Sequence, residues 1–478
     1  MEGSLDNHVL VINSLGDAID TDTNKPIKKL DDYLDKMIRE IQRKCDGRAD
    51  EKKSESSACG REESRKILIH VHGGLNTHQN AKAKAHRITQ MILAEDGGDW
   101  HYPIFITWPS GGIGSYCEHL FFLRRGRRAK KVGILLFPFY LVTDLFKGFA
   151  RTLVSVPLQV SNDFSALVYS LTGLKILPSW RNSDAIYKAA INSNKTNNAA
   201  VHNIVLGRYS RTPSEKVWRF CRYIFTFPFK LMAQIIVLDA AAEGAWNAML
   251  HRIRNLFRKP REFDVRGILS DSRKLSEWLD SDPSGALVRF WNRLDIFLEG
   301  QANEGKKYEI VLVGHSMGAI VINQSLRYIS KKFISRIVYM APASTIRETS
   351  DSLIPVLLEN PGTNFHLLVL HPMAEIEEVS FSDFIPRGSL LEWIDNWYTT
   401  PPSHTHRRLG KWINVTQALH LFKDVRGQVT LKGFDAISDH MPQKHGEFND
   451  CPFWQKEFWE INEHLSYSKD WASNYQKP

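Results

Sequence analysis

The chain has 478 residues, 43% hydrophobic and 24% charged, a balance that excludes a globally disordered protein and allows two or three domains. Its formal net charge of +9 points to anionic partners, either nucleic acid or acidic lipid. Five cysteines without CxxC spacing (Cys45, Cys59, Cys117, Cys221, Cys451) exclude a disulfide framework or a zinc site and fit a reducing compartment.

The opening MEGSLDNHVLVINSLGD lacks the basic-then-apolar order of a secretory signal, so a cytoplasmic location is expected. Residues 8–13 (HVLVIN) read as a strand, and 29–44 as an amphipathic helix with apolar positions three and four apart. Residues 46–66 are charged, small and aperiodic, the pattern of a flexible linker. The strand ILIHVH (67–72) ends in Gly73-Gly74, a helix is expected over 81–95, and PIFITW (103–108) is a further strand. Later, 284–299 reads as a helix, YEIVLV (308–313) as a strand and 317–330 as a helix. SRIVYM (335–340) and FHLLVL (365–370) add two strands. Short apolar runs alternating with helices predict an α/β fold with a mostly parallel sheet covered on both faces.

These readings divide the chain into an N-terminal strand and helix (1–45), the linker (46–66), a first core segment (67–112), a large, mainly helical cap insertion (113–283) and a second core segment (284–478). Within the insertion, 181–215 is polar and reads as a surface loop.

The motif Gly314-His315-Ser316-Met317-Gly318 stands directly between a strand and a helix. A serine on such a turn is lifted clear of the sheet, with glycines two residues either side permitting close approach of strand and helix. Ser316 is therefore the candidate nucleophile, and the Met317 N–H the candidate donor to a developing oxyanion. ILIHVHGG, VLVGHSMG and the C-terminal HGEF together resemble the lipase and esterase branch of the α/β-hydrolase superfamily, over residues 67–110 and about 284–460. The resemblance implies an α/β-hydrolase fold and a second oxyanion donor at the Gly74 N–H, with Leu75 as the neighbouring option. It also implies the chain order serine, acid, histidine. His445 is the first choice of base and His440 the alternative. Glu375, a few residues past FHLLVL, is the first choice of acid and Asp383 the alternative. His70 and His72, in a buried strand, read as structural.

The resulting expectation is a carboxylic-ester hydrolase, lipase- or phospholipase-like, needing no cofactor and no metal. The same machinery cleaves thioesters, amides and peptides, and an inactive hydrolase-fold scaffold is the reading from another class. Basic runs at 124–131 and 251–261 adjoin apolar stretches, including 132–142, and carry no nucleic-acid motif. The eleven-residue run 132–142 falls short of the roughly 20 residues a spanning helix needs. The insertion is thus expected either to contact an anionic membrane peripherally, with lipid or another ester as substrate, or to pack as a lid.

Overall fold

The computed structural model describes residues 5–20, 23–55, 65–75, 78–94, 100–124, 127–128, 130–194, 201, 203–258, 285–437 and 441–461. Among them, eight parallel strands form one sheet. The chain runs through β1 (Val9–Val11), β2 (Arg65–Val71) and β3 (Tyr102–Thr107), then a two-residue hairpin of β4 (Leu123–Arg124) and β5 (Arg127–Arg128). It continues through β6 (Asn203–Leu206), β7 (Tyr308–His315), β8 (Ile334–Met340), β9 (Asn364–Val369) and β10 (Val429–Gly433). The sheet order is β1-β3-β2-β7-β8-β9-β10-β6. The strands expected from apolar runs are the ones that form β1, β2, β3, β7, β8 and β9. In β7, every residue except Glu309 is buried, as a strand covered on both faces requires. The strand order reverses direction at β7: β2 to β3 steps toward one edge, and β7 through β10 toward the other. In open α/β sheets such a switch is where ligands bind, beyond the carboxyl ends of the strands.

The described residues group into two compact units. One comprises residues 1–146, 240–311 and 324–333. In it, helix Gly112–Phe121 lies on helix Ala242–Phe257, and Gly244 admits the His119 ring so closely that a Cβ there would stand 2.6 Å from it. Arg252 Nε donates to Glu118 at 2.7 Å, and its Nη1 reaches Ser115 Oγ and the Pro109 carbonyl, which satisfies a buried charge. The other unit comprises 147–239, 312–323 and 334–478. Its core carries Trp412, Trp459, Tyr339 and Phe365, all fully buried, and Lys432 Nζ donates to the carbonyls of Phe458 and Glu460.

Three expectations need correction. The helix begun at Leu30 runs on to Glu55, through residues 46–55 of the supposed linker. Its buried stripe Leu34, Met37, Ile41, Cys45 leads Asp46 into ion pairs with Arg65 (2.6 Å) and Lys306 (3.1 Å), which extend the helix's anchorage. The insertion 113–283 is not one cap: residues 147–239 group with the second unit, and 113–146 and 240 onward with the first. Finally, the polar stretch 181–215 contains helix Pro178–Asn194 and β6, which pairs in parallel with β10 from Asn203↔Thr430 to Leu206↔Gly433.

Candidate active site

The turn after β7 holds Ser316 at φ 52°, the left-handed region that a non-glycine residue enters only under constraint. The constraint is visible. The Ser316 N–H donates to the Met340 carbonyl at the end of β8 (2.9 Å), and its own carbonyl accepts from Ala343 (2.9 Å) and Ala319 (3.2 Å). A Cβ on Gly314 would meet Ile322 Cδ1 at 2.8 Å and the Ala319 nitrogen at 3.0 Å, so glycine lets helix Gly318–Ser325 start close against the strand. Met317, fully buried, immediately precedes that helix.

Ser316 Oγ and His445 Nε2 lie 2.8 Å apart, joining residues 129 positions apart in sequence. His445 is the first residue of a 3₁₀ turn, His445–Asp450, and both its backbone groups are held by side chains. Its N–H donates to Glu378 Oε2 (2.8 Å), and its carbonyl is 2.8 Å from His315 Nε2. Asn449 Nδ2 lies 2.8 Å from His315 Nδ1. An amide nitrogen can only donate, so His315 Nδ1 accepts, the proton sits on Nε2, and Nε2–H donates to the His445 carbonyl. Burial, and secondarily the neighbouring His315, hold the His445 imidazole well below the usual histidine range. It is therefore neutral at pH 7 and free to take a proton. Its Nδ1 is buried and meets no hydrogen-bond partner among the described residues.

The acid expected from sequence is not at that nitrogen. Glu375, in the first turn of helix Pro372–Ile376, accepts from Ser389 Oγ at 2.8 Å. Burial pushes its carboxyl well above the usual range. Asp383 is fully buried against Lys230 (2.6 Å) and Arg387 (2.8 Å). With Arg222 at 3.9 Å, three cations claim its charge, and it is not at the imidazole. The carboxylate that reaches His445 is Glu378, three residues past Glu375, in a stretch whose five acidic residues (375, 377, 378, 383 and, farther on, 392) look alike in sequence. Burial pushes Glu378 up to about 8. It lines a cleft of about 470 Å³ together with Lys444, Glu447, Arg211 and Arg219. His440 lies outside the described residues.

In the other unit, Gly73-Gly74 follow β2. His72 Nε2 accepts from the Trp108 N–H (3.0 Å), and its Nδ1 is 2.5 Å from the Gly73 carbonyl, fastening this turn to the end of β3. The Leu75 N–H is committed to the Ser110 carbonyl at 2.8 Å, which removes it as an oxyanion donor. Among the described residues no group of three or more histidines, cysteines or carboxylates is arranged to hold a metal. Comparison with protein-family models, with curated proteins and with solved structures found no match.

Proposed function

We propose that this chain is a serine hydrolase that cleaves carboxylic esters. The observation that carries the reading is the 2.8 Å approach of Ser316 Oγ to a neutral, buried His445 Nε2, with the serine on a strained strand-to-helix turn. The strand order and the motif's place at the carboxyl end of β7 support an α/β-hydrolase fold. In this reading Ser316 Oγ attacks the acyl carbonyl while its proton passes to His445 Nε2. The imidazolium then protonates the departing alcohol. Water attacks the acyl-enzyme by the same route in reverse, returning the proton to the serine. The N–H of Met317, just ahead of the helix that follows the serine, stabilises the oxyanion.

Glu378 is a positioning residue on the backbone of His445, not at its imidazole Nδ1. Held to the His445 N–H, it fixes the ring's approach, and its ionisation would favour the imidazolium. His315 is a positioning residue that pins the other side of the same backbone. Labelling with a fluorophosphonate tests the proposal: the wild type should be modified and Ser316→Ala should not, with esterase turnover falling on the order of a million-fold. Turnover retained by a pure, folded Ser316→Ala protein would refute it, and absence of labelling in both would favour an inactive scaffold.

A further inference from the structure

Two helices of the second unit are polar inward and apolar outward. In helix Pro213–Ala233 and the π-turn that continues it, Thr226, Lys230 and Gln234 recur every four residues and are buried. The neighbouring residues Ile224, Phe225, Phe229 and Met232 are exposed, Phe225 by 73%. The portion of helix Lys130–Thr172 in this unit repeats the pattern. Ser155 is buried, Thr152, Gln159 and Asp163 are partly so, and Phe149, Leu153, Val154, Leu158 and Phe164 are exposed, Leu153 by 71%. The polar stripes meet each other and the protein body. Asp239 accepts from Thr152, Ser155 and Gln234, Gln159 reaches the Arg387 carbonyl, and Lys230 pairs with Asp383. At the same surface, Phe381, Ser382 and Asp383 are all left-handed (φ 46°, 53° and 64°). This turn leaves Phe381 78% exposed and sets Phe384 edge-on to Phe229.

A water-facing helix places its charges outward; these two do the reverse. Both belong to stretches long and apolar enough to cross a membrane, Gly133–Tyr169 with mean hydropathy 1.4 and only 11% buried, and Pro213–Phe257 with 1.5. Their inner stripes, however, are clamped to Asp383 and Arg387 in the body of the unit, so only the outer faces are available to lipid. We infer that the helix pair, with the Phe381–Phe384 turn, inserts its outer apolar surface into one leaflet of a bilayer without spanning it. The surface differs from the one expected from sequence: insertion is carried by the aromatic and aliphatic outer faces of 149–164 and 224–236. Apolar insertion requires no headgroup charge. A second copy of the chain is the competing occupant.

The test is co-sedimentation of the full chain with neutral phosphatidylcholine vesicles and with vesicles containing phosphatidylserine, at low salt and in 1 M NaCl. The expected result is binding to both, retained in high salt. Each of Phe149→Ser, Phe225→Ser and Phe381→Ser should weaken partitioning roughly 10-fold or more, the equivalent of one buried aromatic side chain. Their melting temperatures should match the wild type, because these side chains are exposed in the fold. Protein left in the supernatant with both vesicle types would overturn the inference, as would binding lost in 1 M NaCl. Self-association abolished by the same variants, without vesicle binding, would assign the surface to a second copy. Because the readout is partitioning, the outcome is independent of whether Ser316 is a nucleophile.

Discussion

Replacing Gly314 by alanine tests whether the close approach of strand and helix positions the serine. The new Cβ would stand 2.8 Å from Ile322 Cδ1, which can swing aside, but also 3.0 Å from the Ala319 nitrogen and 3.1 Å from its Cα, which cannot. Backbone must therefore give by a few tenths of an ångström, and the element that gives is helix Gly318–Ser325, whose first turn carries the hydrogen bond from Ala319 to the Ser316 carbonyl. Overpacking of this kind costs about 1–3 kcal/mol. At roughly 2–4 °C per kcal/mol for a unit of this size, the melting temperature should fall by about 2–12 °C. Displacing Ser316 from its 2.8 Å contact with His445 should lower kcat about 10- to 100-fold with KM nearly unchanged, since a misplacement approaching 1 Å costs about 100-fold. Gly446→Ala is the matched control. It lies one residue from His445, and its Cβ would meet nothing within 4 Å, so melting temperature should not fall. Calorimetry and turnover of a short-chain p-nitrophenyl ester read both quantities. A Gly314→Ala protein with wild-type stability and wild-type kcat would refute the reasoning.

Glu378→Gln should lower kcat at least 10-fold and flatten the alkaline rise in kcat/KM that accompanies ionisation near pH 8, whereas Glu375→Gln should leave kcat within a factor of about three. Asp383→Asn should instead unfold the protein more easily, by on the order of 3–5 kcal/mol, because it strands Lys230 and Arg387, and chemical denaturation will show it. Burial lowers His366 to about 4 and His371 to about 3, and holds His445 well below its ordinary value. At each of these histidines the unfolded chain binds more protons than the folded one below about pH 6.5, so its contribution is full above that pH and is lost as pH falls, while the raised carboxyls of Glu375 and Glu378 act in the opposite sense. Between pH 6.5 and 5 the contributions of His366 and His371 should each fall by roughly 2 kcal/mol. His366→Gln should therefore lose less stability than the wild type between pH 7 and 5, and an identical pH dependence of the two proteins in chemical denaturation would contradict this.

The parallel sheet was readable because β2, β3, β7, β8 and β9 are continuous apolar runs that only a strand buried on both faces requires. β10 was missed because VTLKG contains a lysine, and its burial depends on the carbonyls of Phe458 and Glu460, which no local pattern announces. β6 was hidden among asparagines and serines. At the site, Ser316 stood out because a tight turn between strand and helix needs its glycines locally, and His445 because of the C-terminal HGEF resemblance; the 2.8 Å contact brings the two together. The acid was not legible. Which of Glu375, Glu377, Glu378 and Asp383 reaches the His445 backbone depends on one short helix, Pro372–Ile376, and on the three left-handed residues that follow it. Lys230, from a segment more than 140 residues upstream, claims Asp383. His315 was overlooked because its position within GHSMG carries no spacing signal; only its carbonyl contact reveals it.

The pairing of β6 with β10 bears on how this chain could have been assembled and how it can be trimmed. An inserted lid grafted onto a finished fold can be excised and leave a sound protein behind. Here, cutting out 113–283 would strip β10 of its neighbour along four registered positions, from Thr430 to Gly433. The bare N–H and C=O groups would then form an open edge ready to recruit a strand from another molecule. A shortened protein of this kind should therefore precipitate or form strand-paired oligomers. Shortened versions will need to keep Asn203–Leu206, or replace the lost edge with a charged, outward-turned strand.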